Sequence, residues 1–281
     1  MSTANVGITQ TKEKETQRAQ PRSSGKMPWL LQITMLAWRS LVVNFRTPGA
    51  VLPPLILGGF FLVIYEAQLG NASNFFLTGT EYINFILPLS IISSALSGAG
   101  IAGQSIVRDI DNGYFDKLSL TPISRSALIL GPTLAGAVVL AIQAAFIILV
   151  GVLLGVNPDT GILGLLAVIG YAMLLGLSFA GFTIGVALFT GSPAATQGGN
   201  FLFFPLTFLT ATFVPIELLD GWIKVAATIN PITYILEAMR SIMIDGWVLN
   251  TNLQGLLACA VLALITFGFS MAGLRVRTSR K

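Results

Sequence analysis

Six charged side chains crowd into one short polar segment, residues 108–125, whose sequence is RDIDNGYFDKLSLTPISR. Apolar runs long enough to cross a bilayer flank this charged loop on both sides, at Tyr82–Val107 and Leu128–Val156. Because about 20 apolar residues cover the ~30 Å hydrocarbon core, the charged loop must lie in water. Asp111-Asn112-Gly113 predicts a turn, and apolar and aromatic side chains follow it. This chemistry is typical of a docking surface, and the alternative is an ordinary polar connector.

The residue types that catalysis needs are scarce in this chain. Histidine is absent and the single cysteine, Cys259, lies in an apolar run, so the commonest general base and any thiol pair are missing. The nearest approach to a phosphate-binding loop, Gly25-Lys26-Met27, lacks the GxxxxGK[ST] pattern, so we expect no nucleotide hydrolysis by this chain. A membrane enzyme would have to use acids outside the apolar runs, which have no metal-like spacing: Asp159, Glu217, Asp220, Glu237 and Asp245.

Composition places these residues in a membrane protein. The chain is 54% hydrophobic and only 10% charged, whereas soluble domains average about 25% charged residues. We therefore predict an all-α integral membrane fold with six transmembrane helices, at about Ala50–Tyr65, Tyr82–Val107, Leu128–Val156, Ile162–Phe189, Gly199–Val214 and Leu253–Leu274. No charged residue falls in the middle of these spans, which disfavours a proton- or sodium-coupled carrier.

Polar segments flank the spans at both ends of the chain. Residues 1–27 have no apolar periodicity and predict a disordered tail, and residues 275–281 form a basic tail. Between the first tail and the first span, residues 28–46 repeat apolar side chains at three- and four-residue steps and include Trp29, Trp38 and Arg39. This pattern predicts an amphipathic helix in the membrane interface, and the alternative is an extension of the first span.

The distribution of charge predicts the orientation. Fourteen of the 16 Lys and Arg residues lie in the N-terminal region, the charged loop and the C-terminal tail, whereas the other side holds seven of the 12 acids. The positive-inside rule therefore places both termini and the charged loop in the cytoplasm, in a multi-pass protein of the plasma (inner) membrane.

Residues 215–245 are apolar but interrupted by polar and charged side chains. Asn230 is a good N-cap and Pro231 a good first helical residue, so a helix should begin there. The arms on either side have about 14 residues and reach only ~21 Å. We therefore predict a re-entrant helical hairpin that enters the membrane from outside, with two full spans as the alternative. Glu237 and Arg240, three residues apart, can pair on one helix face.

Two motifs give the chain a family resemblance. The charged loop and its continuation, RDIDNGYFDKLSLTPISRSALILGP, resemble the cytoplasmic loop of the ABC type-2 permeases, through Arg108, Gly113, Phe115, Leu118, Pro122 and Ser124. The second motif, Asn-Pro-x-x-Tyr-x-x-Glu-x-x-Arg, is typical of the family's extracellular segment and is formed by Asn230, Pro231, Tyr234, Glu237 and Arg240. The resemblance covers residues 28–274 and is closest to daunorubicin-resistance permeases.

The resemblance implies an exporter subunit that is not itself an enzyme. It implies a second permease chain, identical or related, and two ATPase subunits that hold ATP and Mg. It also implies that a coupling helix docks on the ATPase through Arg108, Asp109, Gly113, Tyr114, Phe115 and Leu118, with Tyr114 and Phe115 as an aromatic anchor. The implied cargo is a lipophilic drug or lipid-like molecule. The alternatives are a polysaccharide or lipid-linked glycan as cargo, or a membrane scaffold that transports nothing.

Overall fold

The computed structural model describes residues 27–70, 82–98, 100–201, 203–210 and 216–279. The sequence-based predictions for the N-terminal tail (1–26), for the polar loop at 71–81, and for residues 211–215 and 280–281 lie outside the described residues. Apart from a 3₁₀ turn at Ile216–Leu218, every regular element in these ranges is an α-helix: α1 Trp29–Phe45, α2 Pro48–Leu69, α3 Tyr82–Gly98, α4 Gly100–Asp111, α5 Tyr114–Ser119, α6 Arg125–Leu153, α7 Gly161–Thr190, α8 Pro193–Asn200, α9 Phe203–Phe208, α10 Gly221–Ile229, α11 Pro231–Ile244 and α12 Leu249–Ser279.

Five helical stretches of the described chain are long and apolar enough to cross a membrane: Pro48–Leu69, Tyr82–Asp111, Arg125–Leu153, Gly161–Thr190 and Leu249–Ser279. The predicted count of six spans is not confirmed. The predicted fifth span, at Gly199–Val214, falls on the end of α8 and on the six-residue helix α9, with residues 202 and 211–214 outside the described ranges. Helix α12 also continues beyond the predicted end of the last span, so the basic tail begins as helix.

The first two helices are separate elements. Helix α1 ends at Phe45 and α2 begins at Pro48, where proline fits because the first helical turn needs no N–H donor. A single continuous first span is therefore wrong. Helix α1 packs along α6, through the buried side chains of Ile33, Leu36, Ala127 and Leu128.

Helices α3 and α4 form the centre of the bundle. In the apolar 18-residue window of the stretch Tyr82–Asp111, 94% is buried inside the protein, against 22% for the corresponding window of α12. The main apolar core surrounds α3 with side chains from α2, α6, α7, α11 and α12, among them Leu62, Ile147, Leu175, Leu236 and Cys259. Helices α2, α6, α7 and α11 all pack against α3.

The segment that follows α9 contains two short helices. Helix α10 has nine residues and α11 has 14, so at 1.5 Å per residue they reach about 14 and 21 Å. Neither can cross a bilayer, which argues against two full spans. The predicted helix start at Pro231 is confirmed: the Asn230 side chain accepts a hydrogen bond from the backbone N–H of Ile232 at 3.0 Å.

Close contact between α4 and α7 depends on Gly103. A β-carbon at this position would lie 2.6 Å from the backbone carbonyl oxygen of Thr183, which cannot move away without shifting α7. A small residue at such a crossing lets two helix backbones approach. Gly170 lies in the interior of α7 and has no atom within 4 Å of its β-carbon position.

We predict that Gly103→Val lowers the melting temperature of the detergent-solubilised protein and that Gly170→Val does not. Both changes replace a helical glycine by valine, so helix propensity is matched and only the packing differs. The measurement is a thermal melt followed by size-exclusion chromatography. Equal melting temperatures for the two variants would show that the α4–α7 contact is not tight.

Candidate functional site

The charged loop contains a sharp turn followed by the short helix α5. Gly113 links α4 to α5 with φ = +66°, a left-handed conformation that favours glycine, and nothing lies within 4 Å of its β-carbon position. Glycine is therefore required here by the backbone conformation and not by crowding. The turn folds α5 back against the end of the bundle. We call this end, which carries α5 and the start of α6, the loop end.

Phe115 faces the bundle. Its side chain is only 4% exposed and packs in a cluster with α4, α6, α7 and α12, among them Ile106, Ile129, Ile184 and Leu274. The expectation that Phe115 would serve as part of an exposed aromatic anchor is therefore corrected, because its ring has no surface to offer a partner. Hydrophobicity made it a candidate, but the sequence does not tell which way α5 faces.

The outer surface of the loop is formed by other residues. Leu120, directly after α5, is 89% exposed, and Tyr114 and Leu118 are half-buried. Around Leu120 the exposed positions are polar or small: Asp111, Asn112, Lys117, Ser119, Thr121 and Pro122. The loop therefore presents one apolar side chain surrounded by polar groups.

Helix α1 is hydrogen-bonded to the end of the charged loop. Ser124 caps α6, since its hydroxyl accepts from the N–H of Ala127 at 3.3 Å. The N–H of Ser124 itself donates to the Gln32 side-chain oxygen at 2.9 Å, and the Trp29 indole N–H donates to the Ser126 hydroxyl at 3.0 Å. The Pro-x-Ser element of the motif thus begins a helix and holds α1 beside it.

Arg39 joins α1 to both helices of the turn. Its guanidinium donates two hydrogen bonds to the carboxylate of Asp109 on α4, at 2.7 and 2.6 Å, and it lies 3.9 Å from the ring centroid of Tyr114 on α5. The hydrogen bond with Asp109 raises the pKa of Arg39, so the guanidinium stays charged throughout the physiological range. We call this arrangement the Arg39 fork. It bridges the turn at Gly113 and fixes α5 relative to α1.

Arg108 makes a second link across the same end. Its guanidinium donates to the hydroxyl of Thr47, the residue before α2, at 3.4 Å. Adjacent residues at the end of α4 therefore contact the two sides of the α1–α2 junction: Asp109 binds α1, and Arg108 binds the start of α2. Helix α4 is therefore linked to both helices.

The outward face of α1 is apolar. Leu31, Met35, Trp38 and Phe45 are exposed and recur at helical spacing, and Trp38 is 70% exposed. The face toward the bundle is more polar and includes Gln32, Ser40 and Asn44. An amphipathic helix in a membrane interface has this apolar outer stripe.

The second motif lies at the opposite end of the bundle and joins α9, α10 and α11. The Asn230 amide donates to the carbonyl oxygen of Leu206 at 2.6 Å, in addition to capping α11. The Tyr234 hydroxyl donates to the carbonyl oxygen of Thr228 at 2.7 Å and so ties α11 to α10. Pro231 begins the helix. These residues hold the two short helices in a fixed bend.

Arg240 is an internal cation. Only 3% of its side chain is exposed; it pairs with Glu237 at 3.0 Å, donates to the Phe85 carbonyl oxygen at 3.1 Å and lies 3.6 Å from the Phe85 ring centroid. The predicted Glu237–Arg240 pair is present, and Arg240 also attaches α11 to the central helix α3. A buried guanidinium with this set of partners is a structural cross-link.

Sequence reasoning selected Arg39, Asp109 and Tyr114 but did not join them, and it gave Gln32 no role. Arg39 and Asp109 are 70 residues apart, so no local spacing reveals the pair. The available signal for Gln32 was a polar residue between the apolar Leu31 and Ile33. In the part of the chain that the structure describes, no three His, Cys, Asp or Glu side chains lie close enough to hold a metal.

We predict that Arg240→Gln lowers the melting temperature more than Glu237→Gln, because it leaves the Phe85 carbonyl oxygen without its guanidinium donor, a loss of about 1–3 kcal/mol. Exchanging the charges, Glu237→Arg with Arg240→Glu, should not rescue the protein, since a carboxylate would face the Phe85 carbonyl and the face of its ring. Arg275→Gln, at an exposed position of α12, is the control. Rescue by the exchange would show that only the ion pair matters.

Comparison with known proteins gives a consistent result. Residues 31–244 match the family described as ABC-2 type transporter. The chain is 24% identical over 207 residues to the daunorubicin resistance ABC transporter permease protein DrrB1 of Streptomyces coeruleorubidus, covering 73% of this chain and 72% of that protein. It is 25% identical over 221 residues to the probable doxorubicin resistance ABC transporter permease protein DrrC of Mycobacterium tuberculosis, covering 79% and 78%.

A relative from another lineage is more distant. The probable multidrug ABC transporter permease YbhR of Escherichia coli is 24% identical over 172 residues, 60% of this chain and 46% of that protein. The family match includes most of α1, the charged loop and α11, and it therefore covers the Arg39 fork and the second motif. The chain belongs to the ABC-2 type transporter family, as a multi-pass membrane permease that has no ATPase domain of its own and relies on ATP used by a partner ATPase subunit.

Proposed function

We propose that this chain forms the membrane path of an exporter for lipophilic or lipid-like molecules, and that the charged loop docks on the ATPase. In this proposal the termini and the loop end face the cytoplasm, α1 lies in the membrane interface, and α10 and α11 form the extracellular hairpin. The names of the relatives, which refer to daunorubicin and doxorubicin resistance, support a lipophilic cargo.

The Arg39 fork is the observation on which the proposed coupling route rests. A docked ATPase that moves α5 would displace Tyr114, and the fork connects Tyr114 and Asp109 rigidly to α1. Two parallel charge-assisted hydrogen bonds fix direction as well as distance, which a single contact does not. The movement therefore reaches α1 together with α4, while Arg108 conveys it to α2 through Thr47.

The proposed assembly has a second permease chain, identical or related, against the first. Helix α2 supports this, because only 28% of its apolar 18-residue window is buried and its exposed face is apolar, with Leu52, Ile56, Leu57, Phe60 and Val63. In the membrane such a face is covered either by lipid or by another helix. A path between two chains would have α2 of each chain on its wall.

We predict that Leu120→Asp removes the ATPase subunit that co-purifies with the tagged chain, whereas Leu249→Asp does not. Leu120 and Leu249 are 89% and 82% exposed, but Leu249 lies at the opposite end of the bundle, at the start of α12. The measurement is a pull-down from the native host with mass spectrometry, scored for a stoichiometric protein with a GxxxxGK[ST] loop. Phe115→Asp, in contrast, should destabilise the permease itself, because it buries a carboxylate.

If no such ATPase accompanies the wild-type chain, the transport proposal is wrong and a scaffold is favoured. If the ATPase is retained by Leu120→Asp, the docking surface lies elsewhere.

We predict further that Arg39→Lys leaves ATPase binding intact but lowers transport. Lysine keeps the charge and loses the two-point geometry, which removes one hydrogen bond of about 1 kcal/mol after allowance for partial exposure, or about fivefold. The assay is ATP-dependent uptake of an uncharged lipophilic fluorophore into inverted vesicles. Asp109→Asn should cause a similar loss, and the double variant should be no worse than either single one. Additive losses would indicate that the two residues act independently.

A further inference from the structure

A cleft of about 550 Å³ opens at the loop end between α2, α4 and α8. Its volume lies within the usual range of small-molecule sites. The first turns of α2 form one wall and the start of α4 the other, and Gln197 of α8 lies at its edge. The cleft adjoins the contact between Arg108 and Thr47, since Thr47, which accepts a hydrogen bond from Arg108, is part of its lining.

Two prolines give the α2 wall hydrogen-bond acceptors. Pro53 and Pro54 lie inside the helix and have no N–H, so the carbonyl oxygens of Gly49 and Ala50 lack their donors at the i+4 position. All four of these residues line the cleft. A backbone carbonyl freed within a membrane protein needs a partner from a neighbouring group, from water or from a ligand.

The other wall contributes an amide pair. The Gln104 amide nitrogen donates to the Gln197 side-chain oxygen at 2.6 Å. This bond leaves the Gln104 oxygen as an acceptor and the Gln197 NH₂ group as a donor at the edge of the cleft. The apolar remainder of the lining includes Leu57 and Ile101.

The cleft has no counter-ion for a cation. Among the described residues that line it, none is Asp or Glu. The charged side chain beside it is the guanidinium of Arg108, 3.4 Å from the Thr47 hydroxyl. A protonated amine would therefore lose water without gaining an opposite charge and would be repelled by Arg108. Hydroxyl groups, which donate and accept, suit the carbonyl and amide groups equally and carry no charge.

We propose that this cleft binds a neutral, hydroxyl-bearing amphiphile, with hydroxyls at the Gly49 and Ala50 carbonyls and at the Gln104–Gln197 pair, and an apolar body along Leu57 and Ile101. The inference rests on the proposed function and specifies the chemistry of its cargo: an uncharged polar head on an apolar body, in preference to a cationic amine.

The test is equilibrium binding to the full chain in phosphatidylcholine nanodiscs, with tritiated octyl glucoside and tritiated octylamine as probes. Saturable binding above that of empty nanodiscs is scored. We expect octyl glucoside to bind at least about tenfold more tightly than octylamine. Gln104→Leu and Gln197→Leu should each weaken glucoside binding about fivefold, the size of one hydrogen bond. Gln254→Leu, at an exposed position of α12, is the matched control and should change nothing.

A variant of α2 separates binding from folding. Pro53→Ala restores an N–H at position 53, which satisfies the Gly49 carbonyl within the helix and removes one acceptor from the cleft. It should weaken glucoside binding while leaving the melting temperature unchanged or higher, because alanine is the better helix former. A purely structural role for the proline would not produce this combination.

The proposal is overturned if octylamine binds as tightly as octyl glucoside, if no saturable glucoside binding occurs, or if the glutamine variants bind like the wild type. Co-purification of the ATPase is measured on the same preparations. A chain that retains its ATPase but binds no glucoside would refute the cleft and leave the proposed function standing, whereas loss of the ATPase partner would refute the proposed function.

Discussion

The Arg39 fork is the interaction on which the organisation of the loop end depends. Charged groups are costly inside a membrane, so the few in this chain lie mainly at its two ends, where they add polar links to the apolar packing. Helix α1 lies outside the central core, and α5 has six residues. Both are oriented by one guanidinium that meets a carboxylate and an aromatic ring. The Arg39 side chain is one-third exposed, so its ion pair contributes little to the free energy of folding. Its main effect is to fix the orientation of α1 relative to α4 and α5.

An arginine also links helices at the opposite end of the bundle, but there it is buried. Arg240 is enclosed and attaches α11 to a carbonyl of the central helix α3, while Asn230 attaches the start of α11 to α9. These contacts are internal to the core and leave α11 little freedom. The two arginines therefore differ in their surroundings. Arg39 adds a polar link between α1, α4 and α5, which also share apolar contacts, whereas Arg240 holds α11 against α3 from inside the core.

Local signals in the sequence predicted local structure well. The cap at Asn230, the break between α1 and α2, the turn at Gly113 and the pairing of Glu237 with Arg240 all depend on residues close together in the chain. Which side of each helix faces the core was not predictable from the sequence. In a membrane protein, lipid-facing and core-facing side chains are both apolar, so hydrophobicity gave no sign that α3 is enclosed or that Phe115 turns inward.

The cleft and the charged loop are parts of one mechanical system because both involve α4. Gln104 contacts α8 at the cleft, Arg108 follows one turn later and binds Thr47, and Asp109 completes the fork with α1. Residues four apart lie on the same helix face, so a rotation of α4 that loosens the fork also shifts the Gln104–Gln197 pair. Pro53 and Pro54 lie in α2 on the opposite wall. Each removes a backbone N–H donor from the first turns of that helix, close to Thr47. Helix α4, with 12 residues, therefore carries both the Gln104 side of the cleft and the Asp109 carboxylate of the fork.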